Sequence, residues 1–343
     1  GLQSRFRKVV SAHRHYCIKP PQGQPSHYNE TMEIMIPGSL VPTSVAPDLA
    51  VELKKHCPRF IDVLVQRPAD VLPLPPEQTG CTPQEALHLR RLGYEDAALN
   101  LGAGLAPLAA GIHAGREPVW VAQLCSVVVG REGARMLAPH SLQIAQHEAD
   151  ALFESASMLW SGSEISALAL QTNLWRIWPG DSAHTPSMSP DAVSQMSLAD
   201  WWPQEASFKA WRRLLNEIQM LWHTHPVNEQ RAQRGLPPIN SLWLYGGAAG
   251  WRPTVSSAPL EIIDLLSDAC LEGDWAGWIA QLPAVDAALG VALKRAEANG
   301  APPLITLTGQ RTAVRLAHHR PSWWQHLVPR RKHNWTDWWN LQN

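Results

Sequence analysis

Between Trp222 and Gly250 the chain reads WHTHPVNEQRAQRGLPPINSLWLYGGAAG, and three side chains able to hold an anion recur there among turns and apolar runs. Asn228 and Arg231 are three residues apart, so one helical turn puts both on the same face. Asn240 follows a Gly-Leu-Pro-Pro break and opens the apolar run SLWLY, which ends in Gly246 and Gly247. These signals predict helix, proline turn, strand and glycine loop in that order. A guanidinium offers a two-pronged fork to a carboxylate or phosphate, and bare glycine backbone lets an anion come close. The same residue types also close turns, with Asn228 and Asn240 as caps and Arg231 on a solvated helix face.

Other chemistries find less support. Gly102, Gly104 and Gly111 in LGAGLAPLAAG lack the spacing of a dinucleotide or phosphate loop, and no lysine follows them. No G-x-S-x-G elbow occurs. Asp181, His184 and Ser187 share one loop, whereas a catalytic triad is assembled from separate elements. His223 and His225, two apart, point away from each other on a helix, and His318 and His319 are adjacent, so neither pair suits a metal. Cys17, Cys57, Cys81, Cys125 and Cys270 are odd in number, scattered and without a C-x-x-C pair, which argues against a disulfide framework or a cysteine zinc site.

Positioning these residues requires a large core, and 343 residues at 45% hydrophobic content can bury one. Lys and Arg number 29 against 30 Asp and Glu, so no global field favours nucleic acid or an anionic membrane. Neither a transmembrane segment nor a secretory signal is evident, which makes the cytoplasm the expected location. Tryptophan is abundant, 17 residues against 4 Phe and 4 Tyr, with pairs at Trp201-Trp202, Trp323-Trp324 and Trp338-Trp339. Such rings can stack on sugars or bases, but they more often close a core or an interface.

Residues 1–31 read as a flexible basic extension, with Arg5, Arg7, Lys8, Arg14 and Lys19 before a Pro/Gly/Gln/Ser stretch. The folded body begins at Met32 with EIMIPGSLVP, a short buried strand broken at Pro37 and Gly38. Residues 48–67 carry a helical pattern despite Pro58. Thr82, Pro83 and Glu85 form the signature of a capped helix start. Strands are expected within 117–135 and over 174–178, and helices over 144–156, 208–221, 259–272 and 284–298. A strand pair should span 303–316 across Gly309. Strands mixed with helices throughout imply an α/β fold.

The stretch HPVNEQRAQRGLPPINSLWLYGG resembles a pattern shared by two related groups, the RpfE-type regulatory proteins of proteobacteria and the archaeal-type cofactor-independent phosphoglycerate mutases. The pattern is Pro226-Val227-Asn228, then Arg231, the turn Gly235 to Pro238, Asn240, and Gly246 with Gly247. MEIMIPGSLVP, EPVWVAQLCSVVV and LWRIWP echo the RpfE-type group. The resemblance spans most of residues 32–320. It implies an alkaline phosphatase-like three-layer α/β core with a mixed sheet, a smaller inserted α+β lobe at about 118–225, and a Trp-rich basic tail at 321–343.

In the mutases two metal ions, usually manganese or zinc, activate a serine that carries the phosphoryl group, because a metal pair clamps attacking and leaving oxygens. The ligand motifs look changed in this chain. The opening strand should end in Asp-Gly and here ends in Pro37-Gly38. A Thr-Gly-Asp-His-like motif reads Thr308-Gly309-Gln310-Arg311, and an Ala-Gly-His-Asp-Gly-Asp motif reads Ala269-Cys270-Leu271-Glu272-Gly273-Asp274. Proline, leucine and arginine give a divalent metal no lone pair.

The resemblance therefore points to a non-catalytic scaffold without a cofactor. It would bind a small phosphorylated or carboxylated anion through Asn228, Arg231, Asn240, Gly246 and Gly247, with Arg311 supplying charge in place of a metal. An alternative is a manganese- or zinc-dependent mutase or phosphatase using His113, His140, His147, Asp264 or Asp268. A second alternative is a protein that docks a partner through its tail, where Trp335 and Trp338 flank one helical turn beside Arg330, Arg331 and Lys332. Those tryptophans would otherwise pack back onto the body.

Overall fold

Strands from opposite ends of the sequence meet in one sheet, because each is too apolar on one side to remain exposed. The computed structural model describes residues 32–95, 100–131, 133–161, 163–180, 188–198, 206–254, 256, 258–300, 302–317 and 334–340. The basic extension, Trp201-Trp202, the Asp181 to Ser187 loop, Trp323-Trp324 and the Arg330 to Lys332 cluster lie outside them.

In chain order the elements that matter are β1 (Glu33–Ile36), α1 (Ala46–His56), α2 (Pro58–Gln66), β2 (Ala69–Pro73), α3 (Pro83–Arg91) and α4 (Leu105–Ala110). Then come β3 (Pro118–Cys125), β4 (Val127–Gly130), β5 (Gly133–Met136), α5 (Gln146–Trp160), β6 (Ser166–Gln171) and β7 (Leu174–Trp178). They are followed by α6 (Lys209–His223), α7 (Pro226–Gln233), β8 (Ser241–Ala249), β9 (Leu260–Ile262) and α8 (Ser267–Glu272). The last are α9 (Trp275–Ala298), β10 (Leu304–Thr308), β11 (Thr312–Leu316) and α10 (Trp335–Trp339).

The described residues divide into two compact units, named for their order along the sequence alone: an outer one up to residue 75 and from 256 onward, and an interior one within 76–254. The interior unit encloses the 118–225 stretch expected as a lobe.

The outer unit holds a mixed five-stranded sheet in the order β2-β11-β10-β1-β9. β1 runs parallel to β10 and β9, while β11 is antiparallel to β10 and β2. The α/β class and the mixed sheet expected from the sequence are therefore present. Alternation puts Ile34, Ile36, Ile305, Leu307, Val314 and Leu316 in one core with Leu53, Phe60, Leu64, Trp278, Leu282 and Leu289 from the helices. Two helices replace the single one read over 48–67. Proline disfavours a helical conformation in the residue before it, and Cys57 breaks the run at φ −128° and ψ 63°.

Residues 259–272 are not one helix. Leu260 to Ile262 pair instead with Glu33 to Met35 as an edge strand, tertiary pairing having overridden local propensity, and only 267–272 are helical. The helix read from 284 begins at Trp275 and runs through Pro283. By length and composition it could cross a membrane. Its stripe of Trp278, Leu282, Val285, Leu289, Ala292 and Ala296 nevertheless lies in the core. Asp286 on the same helix accepts from the Phe60 amide at 3.0 Å and from Arg59 at 2.9 Å.

The interior unit carries an antiparallel sheet, β6-β7-β3-β8, and the hairpin β4-β5. Leu242 and Leu244 point to one core and Trp243 and Tyr245 to another, as the two-residue period of a strand requires. Trp175 meets Phe153, Trp160 and Trp222 edge-on in the first of these cores, so these tryptophans pack rather than stack on a ligand. The predicted capped helix start is α3. The Glu85 amide donates to Thr82 Oγ1 at 3.2 Å, and the Thr82 amide donates to the Glu85 carboxylate at 2.8 Å.

Candidate functional site

Asn228, Arg231 and Asn240 lie in the interior unit, in the expected order of helix, turn and strand. α7 starts at Pro226, capped by His225, whose Nδ1 accepts from the Val227 amide at 3.2 Å. Burial lowers the His225 pKa, which favours the neutral ring this acceptor role needs.

Arg231 is fully buried, and its fork is occupied by the protein itself. Nε donates to Pro237 O at 2.8 Å, Nη2 to Leu142 O at 2.5 Å and Nη1 to Glu148 Oε2 at 2.7 Å. Arg234 reaches the other Glu148 oxygen. Burial pushes the Glu148 carboxyl up, but the Ala145 amide and the two guanidiniums outweigh that and leave it below the usual value. Asn228 Nδ2 donates to Trp222 O and Ile239 O, both at 2.8 Å, and Oδ1 accepts from the Ile239 amide at 2.8 Å. Asn240 pairs with both backbone groups of Val127 at 2.8 Å, as a neighbouring strand would.

Gly246 and Gly247 lie within β8 rather than in a loop after it. Gly246 has φ 119°, and a Cβ there would come within 2.4 Å of both Ala106 Cβ and Val119 O. It is glycine because neighbouring atoms leave no room. Sequence spacing placed Asn228 and Arg231 on one helix and Asn240 just before the strand. It missed Glu148, which sits at the start of α5 and supplies the buried counter-charge.

Arg311 belongs to the outer unit, in the turn between β10 and β11, where Gly309 N donates to Thr312 O at 2.9 Å. Leu40, Val41, Pro42, Thr43, Ser44, Gln310 and Arg311 line a crevice of about 460 Å³. It lies beyond the carboxyl ends of the parallel strands β1 and β10, where open α/β sheets place their ligands. The β1 end turns sharply at Gly38, with φ 70° and a hypothetical Cβ only 2.5 Å from Leu266 O. Ser39 Oγ then donates to Ile36 O at 2.6 Å, and the Leu40 amide to Thr308 O at 3.2 Å, joining the two strand ends. Thr43 and Ser44 are exposed, and Gln310 and Arg311 are half-buried.

The donor set does not fit a metal pair. Pro37 and Leu271 offer no ligand atom, Arg311 no lone pair, and the remaining polar lining is neutral hydroxyl and amide. Asp274, in the third altered motif, caps α9 by accepting from the Gly277 amide at 2.9 Å. Of the alternative ligands, His113, His140 and His147 are exposed in the interior unit, and Asp264 and Asp268 stand in the outer one. Among the described residues no three His, Cys, Asp or Glu side chains gather as a metal site.

The tail tryptophans that are described turn inward. Trp335 and Trp339 are buried in the outer unit's core, with their rings edge-on at 5.4 Å and Lys54 over Trp335. Of the two rings expected to face a partner, Trp335 is buried and Trp338 is half-buried against the same core.

Solved structures similar to this chain include two with low sequence identity. A cofactor-independent phosphoglycerate mutase from Thermoplasma acidophilum aligns over 84% of this chain and 90% of its own, at 13% identity and a TM-score of 0.32. The PH0037 protein from Pyrococcus horikoshii aligns over 84% and 87%, at 11% identity and a TM-score of 0.41. No protein-family model and no curated protein matches the sequence. The likeness is distant and concerns fold alone.

Proposed function

We propose that the chain is a non-catalytic binding or regulatory protein, of the RpfE type that its motifs resemble, which holds a small phosphorylated or carboxylated ligand in the crevice around Arg311. The observation that carries this reading is the lining itself. One guanidinium, an amide and two hydroxyls stand at the carboxyl ends of parallel strands. Arginine gives planar, bidentate recognition of a carboxylate or phosphate and cannot be deprotonated in a protein. Binding without turnover suits a lining with a strong cation and no group to generate a nucleophile. Asn228, Arg231 and Asn240 have their hydrogen bonds committed to the protein and act as a brace in this reading.

The test is thermal unfolding with inorganic phosphate or 3-phosphoglycerate at millimolar concentration. A ligand at ten times its Kd adds about 1.4 kcal/mol, worth roughly 3–6 °C for a unit of this size. Arg311→Ala should abolish that shift. No shift with either anion, or an unchanged shift in Arg311→Ala, overturns the reading. Mutase activity with added manganese would favour the metal-dependent alternative.

A further inference from the structure

Three successive carbonyls on the loop that forms the crevice are met by buried side chains from distant parts of the outer unit. Trp278 Nε1, on α9, donates to Gly38 O at 2.8 Å. Trp339 Nε1, on α10, donates to Ser39 O at 3.0 Å. Cys270 Sγ lies 3.9 Å from Leu40 O. Both indoles are fully buried, so no water can take over as donor without opening the core. The loop then emerges as Thr43 and Ser44, which are exposed and line the crevice.

We infer that Trp339, together with Trp278, is a positioning residue for the crevice, so that the C-terminal helix clamps the loop that receives the anion. This rests on reading the crevice as an anion site. A buried carbonyl that loses its donor carries a desolvation penalty, and the backbone relieves it by moving toward another donor. At Ser39 that movement displaces the next five residues, and with them the hydroxyls of Thr43 and Ser44 relative to Arg311. A helix of one turn and a half is not stable alone, so α10 is ordered only while its rings are docked. The Trp339 N–H, rather than the packing of the helix as a whole, thus ties α10 to the shape of the crevice.

The experiment compares Trp339→Phe, which keeps the ring and removes the N–H, with Trp335→Phe, which perturbs the same helix without touching Ser39. Phosphate affinity is measured by titration calorimetry, and amide exchange is followed at Leu40, Val41, Thr43 and Ser44. Trp339→Phe should weaken phosphate by roughly two- to tenfold, the worth of one hydrogen bond, and speed exchange in that loop. Trp335→Phe should lower the melting temperature and leave both readouts at wild-type values. Either readout staying at wild type in Trp339→Phe, or an equal change in Trp335→Phe, overturns the inference. If the wild-type protein binds no phosphate, the anion reading fails, and loop exchange alone decides the clamp. Trp278→Phe repeats the test at Gly38.

Discussion

Replacing Arg231 with alanine separates a brace from a binding site by the sign and size of its effect on stability. The change deletes three hydrogen bonds from a fully buried side chain, to Pro237 O, Leu142 O and Glu148. Breaking a buried ion pair from one side costs about 3–5 kcal/mol, because the remaining charge stays buried. Glu148 keeps Arg234 and the Ala145 amide, which favours the lower end. The two abandoned carbonyls add about 1–3 kcal/mol each unless water enters the vacated space. The loss is therefore about 3 kcal/mol if water enters and about 5 kcal/mol or more if it does not, which lowers the melting temperature of a unit this size by roughly 6–20 °C. Circular dichroism melts, with amide exchange reporting on the interior unit separately, measure it. Arg231→Lys should recover only part of the loss, since an ammonium is a point charge and cannot span three acceptors. A change below about 1 kcal/mol, or a gain in stability as expected for an arginine held ready for a ligand, would refute the brace.

Further outcomes follow from the same geometry. Gly246→Ala places a methyl 2.4 Å from Ala106 Cβ and Val119 O at φ 119°, and should cost about 1–3 kcal/mol or more in a urea titration. Asp286→Ala removes the acceptor of the Phe60 amide and of Arg59, and should destabilise the outer unit by about 2–3 kcal/mol, while Asp286→Asn recovers part. Two depressed pKa values set the acid side. The stability contributed by His225 is full above its ordinary 6.5 and is lost as pH falls through the folded value. That contributed by Glu148 is full above 4.5 and is lost further into acid. Chemical denaturation in steps from pH 7.5 to 3.5 should show stability falling on acidification, and a flat profile contradicts both assignments.

Local signals were legible wherever neighbours in sequence carry the physics. The capping residues Thr82 and Glu85 and the alternation of Leu242 to Tyr245 needed no knowledge of the rest of the chain. Leu260 to Ile262 misled because their strand state is imposed by β1, far away in sequence. The candidate site divides in the same way. Thr308 to Arg311 stood out as a strand end with altered residues, whereas Thr43 and Ser44 carry no periodicity and join the site only through the pairing of β1 with β10. Glu148 and Arg231, and Ser39 and Trp339, find each other across long stretches of chain. Spacing is blind to such pairs.

The pairing of β1 with β10 also sets a timetable for synthesis. About 270 residues must be made after Ile36 before Leu304 and its neighbours can pair with β1. At roughly 5–20 residues per second that is on the order of tens of seconds. During this time the interior unit, contiguous in sequence, can complete its own core. Ile34, Met35 and Ile36 meanwhile have only the three residues of β9 to pair with and keep one edge open, the kind of apolar strand that aggregates or recruits a chaperone. Nascent chains stalled just before residue 304 should therefore resist proteolysis over 76–254 and be cut readily around 33–66.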